Sequence, residues 1–278
     1  MELDLLLDIG NTRSKWITTK SGLGGSLSIE QSGIINNQEL SEQIAQQFAS
    51  LLTSSPVAVI QNIFCTCVGQ LDVLKIWQAH FPSATLYQLS GETVIPGFDN
   101  GYQRPTELGT DRLAGMFGAK TLYPEKNILV IASGTATTID YLHQGSKFIG
   151  GWIIPGLDLM LKSLGKSTAN LPTLEANQLT TSRDDDQTFN NQGTLAIPFG
   201  TSTKDAIGMG VVLATVGAIR QAIAQLPHLE LILITGGNAN LLEAYLLSDS
   251  SQVKFVQEPN LILVGLNAWR LHHKEAHI

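Results

Sequence analysis

DIGNTRSK, Asp8 to Lys15, places one carboxylate, one glycine, several donors and a cation within eight residues. Gly10 lets the backbone bend and come close to a bound group, and the successive N–H groups of such a turn form an anion-binding concavity. Asn11, Thr12 and Ser14 add donors and Lys15 a positive charge, while Asp8 can hold a divalent cation directly or through water. Ile9 and Arg13 complete the stretch. These are the parts a triphosphate needs, although a plain hairpin turn with solvated charges would use the same residues. A second stretch, SGTATTID from Ser133 to Asp140, offers the hydroxyls of Thr135, Thr137 and Thr138 beside Gly134. The strand leading into it is expected to end on an acid that holds a metal ion, and the sequence has Ala132 there. A third, GYQRPTELGTDR from Gly101 to Arg112, sets Asp111 at the head of a helix, where it can act as general base toward a hydroxyl. Arg112 can grip a carboxylate or phosphate through two parallel hydrogen bonds. Asp111 as a helix-cap acid, with Arg112 its solvated neighbour, is the plainer alternative. TGGNA, Thr235 to Ala239, is either a bare-backbone seat for an adenine and ribose or a strand-to-helix bend, and GGWIIPG, Gly150 to Gly156, is another close-backbone turn or a tight strand end.

The elements that must position these residues follow from periodicity. LDLLLDIG predicts a strand, with KWITTK as its hairpin return and Ser26 to Ile35 as a further half-exposed strand. Helices are expected at Gln38–Leu52, Leu71–His80 and Asp111–Leu122, and strands at PVAVIQNIF and ATLYQL. In the second half ILVIAS predicts a strand, and TIDYLHQGSKFIGGWII a hairpin bending at Gln144-Gly145. Thr203 to Leu226 predicts a long helix whose Gly208, Gly210 and Gly217 suggest close packing. A strand at LELILIT and a closing helix at Asn260–His272 follow, and Thr180 to Gly193 is expected to be a loop.

LLLDIGNT, Leu5 to Thr12, aligns without gaps against LVIASGTA, Leu129 to Ala136, so that Gly10 matches Gly134 and Asp8 falls opposite Ala132. Each stretch precedes a hairpin return. This implies a duplicated α/β fold, with halves expected at 1–115 and 116–278 and a ligand cleft between them. Composition agrees with a compact α/β protein: 278 residues, 43% hydrophobic and 15% charged, with 26 glycines. The net charge of −7 argues against a nucleic-acid partner. The acidic MELDLLLDIG is no signal peptide, and no apolar stretch reads as long enough to span a bilayer. A cytoplasmic, soluble chain with no membrane partner is expected, its Cys65 and Cys67 being buried thiols rather than a redox or metal pair.

With these residues in place the chain resembles type III pantothenate kinase, a family with an actin-like ATPase core of two ribonuclease-H-like halves, each a mixed sheet with flanking helices. DIGNT, GTDR, GTATTID, GGWIIPG, STKDAIGMG and TGGNA occur in the family's order along nearly the whole chain. The resemblance implies transfer of the γ-phosphoryl group of ATP to the terminal hydroxyl of pantothenate, the first committed step toward coenzyme A. It implies that Asp8 to Lys15 line the ATP phosphates, with Asp8 organising Mg²⁺, and that Thr135 meets ATP from the opposite turn. It also makes Asp111 the proton acceptor, with Tyr102, Gly109, Thr110, Arg112 and Thr203 holding the substrate, in a homodimer.

The departure is Ala132. The family usually carries an aspartate there that binds K⁺ or NH₄⁺, and a methyl group cannot coordinate either ion. Altered or lost K⁺ dependence is expected. Two other readings share the resemblance: a non-catalytic regulatory relative akin to Bvg accessory factor, and a kinase of the same fold acting on a sugar or acetate. Asp8, Lys15, Asp111 and Arg112, all present, favour the pantothenate kinase.

Overall fold

Along β1 (Glu2–Ile9) the odd positions Leu3, Leu5, Leu7 and Ile9 and the even positions Asp4 and Leu6 are all buried. A run buried on both faces is what a central strand requires. β1 pairs antiparallel with β2 (Arg13–Lys20) and parallel with β4 (Val59–Cys67). With β3 (Gln31–Asn36) and β5 (Thr85–Gln88) the sheet runs β3-β2-β1-β4-β5. The odd face of β1 joins Ile63 and Cys65 in a core closed by Leu40, Ile44 and Phe48 of α1 (Leu40–Ser54) and Val73, Leu74 and Trp77 of α2 (Leu71–His80). The other face meets α7 (Leu261–Glu275), which packs closely against α3 (Thr110–Leu122). A Cβ at Gly265 would strike the carbonyl of Ala114, and one at Gly118 that of Leu261, so the two helices touch backbone to backbone.

The computed structural model describes residues 2–22, 27–54, 59–69, 71–167, 171–179, 199–246 and 253–276. They gather into two compact units, one of Met1–Glu125, Gly145–Phe148 and Asn260–Ile278, the other of Lys126–Gln144 and Ile149–Pro259. The expected division at 115/116 falls inside α3, and the closing helix α7 groups with the first unit because its apolar face is buried on α3 and β1.

The second unit repeats the plan. β7 (Ile128–Ser133) pairs antiparallel with β8 (Ala136–His143) and parallel with β10 (Leu231–Thr235), which pairs parallel with β11 (Lys254–Gln257). β9 (Lys147–Pro155) follows β8, giving the order β11-β10-β7-β8-β9. Numbered within each half, both sheets therefore run 3-2-1-4-5, and the expected duplication of mixed sheets is present. The β8–β9 bend is at Gln144-Gly145 as predicted, both with positive φ (48° and 59°), the pairing a two-residue hairpin favours. β6 (Asp99–Asn100) pairs with Lys147 and Phe148 at the start of β9, within the first unit. The core of the second unit is built from β7, β10, α4 (Leu157–Ser167), α5 (Thr203–Ala224) and α6 (Ala239–Leu246).

Three expectations need correction. The strand foreseen from Ser26 enters the ladder only at Gln31, and it stops where the Asn36 carboxamide caps the next turn by accepting the Gln38 N–H. α5 is long and apolar enough to cross a membrane by length and composition, contrary to the reading above. Its Ile207, Val211, Val212, Val216 and Ile219 are instead buried in the second unit's core. Of its three glycines, Gly208 packs closely, against Leu179, whereas Gly210 and Gly217 face open space. The loop expected at Thr180 to Gly193 lies outside the described residues.

Candidate active site

The β1–β2 turn is closed by the Gly10 N–H donating to the Arg13 carbonyl (3.0 Å) and clamped from outside by Asn37. Asn37 Nδ2 donates to the Gly10 carbonyl (2.8 Å), and the Asn37 N–H to that of Thr12 (3.0 Å). Strand alternation then sorts the expected phosphate residues. Ile9 and Ser14 pair across the hairpin and are fully buried, Ile9 in the core and Ser14 donating to Asn37 Oδ1 (2.7 Å). Their contribution to a ligand is backbone only. Asp8 and Lys15 pair on the other face, and Asn11, Thr12 and Arg13 are exposed around the turn.

Asp8 ends β1 beside Thr66 of β4, its partner in the parallel register, and Thr66 Oγ1 donates to Asp8 Oδ1 (2.9 Å). Burial pushes the Asp8 carboxyl up to about 6; the Thr66 bond opposes the rise, the Asp111 charge adds to it and Lys15 draws it down. Asp111 stands in the first turn of α3, and burial raises its carboxyl as well, against the Arg112 N–H (2.8 Å) and the Arg112 charge. A Cβ at Gly109 would meet Asp111 Oδ1 at 2.8 Å, so glycine is what lets this carboxylate lie over the helix N-terminus. Thr110 anchors the same end, its Oγ1 accepting the Cys67 N–H (3.3 Å). Among the described residues no group of three or more His, Cys, Asp or Glu could hold a metal by itself. Hard carboxylate oxygens in small number suit Mg²⁺ carried on substrate phosphates, since that ion keeps much of its water.

Arg112 is buried, and its guanidinium donates to the Tyr102 hydroxyl. It lies 5.4 Å from the ring centroid of Tyr102 and 5.6 Å from that of Phe148, and the two rings stack at 5.6 Å. Asn100 steadies this loop, its side chain accepting the Tyr102 N–H (3.2 Å). The first unit thus brings Asp8, Lys15 and Asp111 together and holds Tyr102, Gly109, Thr110 and Arg112 around the start of α3.

In the second unit the equivalent turn closes through the Gly134 N–H and the Ala136 carbonyl (2.9 Å). Thr135 is exposed at its tip, and the Gly156 N–H donates to its carbonyl (3.0 Å). Gly236, at φ +97°, brings the TGGNA turn so near that a Cβ would lie 2.2 Å from the Ser133 carbonyl. Three glycine turns therefore meet at the end of β7, those of GTATT, WIIPG and TGGNA. Ala132 ends β7 between Thr138 and Thr235 in register. Asp140 lies two residues further along β8, opposite Val130 and buried. Thr203 opens α5, exposed, behind the Ser202 cap.

Sequence reasoning missed Thr66, Asn37 and Phe148. Thr66 sits in FCTC between Cys65 and Cys67, which are free thiols on the opposite face. Two-residue alternation, applied from Asp8 across the parallel neighbour, is the signal that would have found it.

The profile of the type III pantothenate kinase family matches residues 4–225. A type III pantothenate kinase of Janthinobacterium sp. (strain Marseille) is 32% identical, with 97% of this chain and 98% of that one covered. Among solved structures, a Baf family transcriptional activator from Campylobacter jejuni aligns over 99% of this chain and 100% of that one at TM-score 0.56 and 21% identity. Component A of the (R)-2-hydroxyglutaryl-CoA dehydratase of Acidaminococcus fermentans aligns over 100% of both chains at TM-score 0.57 and 16% identity. At these identities the solved structures speak for the actin-like fold alone.

Proposed function

We propose roles for individual residues on the premise that the chain belongs to the type III pantothenate kinase family and catalyses ATP-dependent phosphorylation of pantothenate, the entry to coenzyme A biosynthesis. The observation that carries the assignment is the pair of half-buried carboxylates, Asp8 and Asp111, each raised by burial, with the Asp111 charge adding to the rise at Asp8. Asp111 is the general base. The terminal hydroxyl oxygen of pantothenate attacks the γ-phosphorus, the bond from that phosphorus to its bridging oxygen breaks, ADP leaves, and the hydroxyl proton passes to an Asp111 oxygen. A raised affinity for protons makes Asp111 a better acceptor than a free aspartate.

Asp8 and Lys15 face the phosphates, with the N–H groups of Asn11 and Thr12 around the turn, that of Gly10 being held by the Arg13 carbonyl. Mg²⁺, when bound, would neutralise charge on the transferred group, and Asp8 would hold it through water or phosphate. Tyr102, Gly109, Thr110, Arg112 and Thr203 hold pantothenate, and Thr135 meets ATP. A monovalent cation does not fit the end of β7. Its position offers a methyl group flanked by Thr138 and Thr235, and Asp140 is retained deeper in the sheet. Turnover is therefore independent of K⁺. The chain works in the cytoplasm, and as a homodimer; the exposed Ile149, Trp152 and Ile153 of β9 and Leu159 of α4 support the second point. Mass spectrometry of the purified protein with ATP, Mg²⁺ and pantothenate tests the residue assignment: 4′-phosphopantothenate must form with the wild type and about 100-fold or more slowly with Asp111→Asn.

A further inference from the structure

We propose that Thr66 is a positioning residue for phosphoryl transfer, fixing the orientation in which Asp8 meets the Mg²⁺–phosphate group. Thr66 and Asp8 end adjacent parallel strands in direct register, so their side chains leave the sheet on the same face. The 2.9 Å bond from Thr66 Oγ1 to Asp8 Oδ1 engages one carboxylate oxygen and leaves the other for a ligand. Thr66 is itself fully buried, so its hydroxyl is held by packing rather than by solvent. Its neighbours Cys65 and Cys67 turn to the opposite face, where Cys65 joins the core and Cys67 packs against it. A β-branched hydroxyl is suited to this task, because branching at Cβ restricts χ1 and presents the oxygen in one direction. The second unit provides a contrast within the molecule. Thr235 occupies the register position of Thr66 there, but its partner is Ala132 and there is no carboxylate to orient.

The proposal rests on the reading of Asp8 as the residue that organises Mg²⁺, and the test separates the two. Full-length wild type, Thr66→Val, Thr66→Ser and Asp8→Asn would be titrated with Mg²⁺ while ADP binding is followed by calorimetry, alongside kcat and the KM values for ATP and pantothenate. Thr66→Val keeps the shape of the side chain and removes the donor. It is expected to weaken the Mg²⁺ dependence of ADP binding and lower kcat by about 10-fold or more, as loss of outer partners of metal-organising groups does. The KM for pantothenate should stay unchanged, and Thr66→Ser should restore Mg²⁺ dependence and kcat toward wild type. Wild-type Mg²⁺ dependence and kcat in Thr66→Val, with Asp8→Asn impaired, would overturn the role of Thr66 alone. An Asp8→Asn protein with unchanged Mg²⁺ dependence would overturn the reading on which it rests. A serine variant as impaired as the valine one would also contradict the proposal, because the hydroxyl would then not be what matters.

Discussion

Asp4 and Asp8 stand on the same face of one strand, four residues apart, and their surroundings differ in kind. Among the described residues Asp4 accepts side-chain hydrogen bonds from Ser21 (2.8 Å), Asn62 (2.7 Å), Arg270 (2.8 Å) and Lys274 (2.6 Å). Burial alone would raise its carboxyl, but those four donors together hold it below the ordinary aspartate value. Asp8 meets Thr66 and faces another acid, and its carboxyl is pushed up to about 6. One carboxylate is saturated and ties α7 to β1. The other is left short of donors, which is the condition of a group that completes its coordination with a ligand. The same contrast recurs between the units: the turn after β1 carries an acid and the turn after β7 does not, although a glycine N–H closes each, Gly10 onto the Arg13 carbonyl and Gly134 onto that of Ala136.

The largest effect should come from the acid facing Asp8. Asp111→Asn is expected to lower kcat by about 100- to 10,000-fold, with an unfolding midpoint near that of the wild type, as steady-state rates and calorimetric melts would check. Next comes the saturated end of the strand. Asp4→Ala strands the buried Arg270 and should destabilise by about 3–5 kcal/mol in urea titrations. Catalysis per folded molecule should hold.

The two aspartates should also respond oppositely to pH in the protein without nucleotide or metal. Asp4 has a lowered carboxyl, so its contribution is present above the unfolded value of 3.8 and lost as pH falls through the lower folded value. Asp8 is raised, so the native state keeps its proton longer than the unfolded chain does, and stability falls as pH rises from 3.8 to about 6. Asp8→Asn should therefore be near neutral in stability below that window and stabilising above it by about 1–2 kcal/mol, while abolishing activity. Denaturant titrations at several pH values would show it. A smaller effect is expected at the turn, where Asn37→Ala removes a clamp on Gly10 and should cost about 1 kcal/mol with a raised KM for ATP. The smallest is none at all: rates in K⁺ and in Na⁺ should be equal, because Ala132 supplies no carboxylate.

Much of this arrangement was legible in the sequence. The apolar run of LDLLLDI, the repeated strand–Gly turns and the bend at Gln144-Gly145 are local signals, and the structure follows them. GTDR placed Asp111 and Arg112 at a helix start because an acid in the first turn is favoured there. What was not legible depends on contacts distant in sequence. Thr66 meets Asp8 across 58 positions, and Arg270 meets Asp4 across 266. α4 gives a weak signal because Gly165 interrupts its short apolar pattern, and the grouping of α7 with the first unit rests on α3, which precedes it by some 150 residues.

The most direct measurement is single-substrate-set turnover of pantothenate by wild type and Asp111→Asn, with Mg²⁺, in parallel K⁺ and Na⁺ buffers. The account predicts equal wild-type rates in both salts and loss of turnover in the variant while ATP binding is retained. Wild-type rates from a folded Asp111→Asn protein would contradict it.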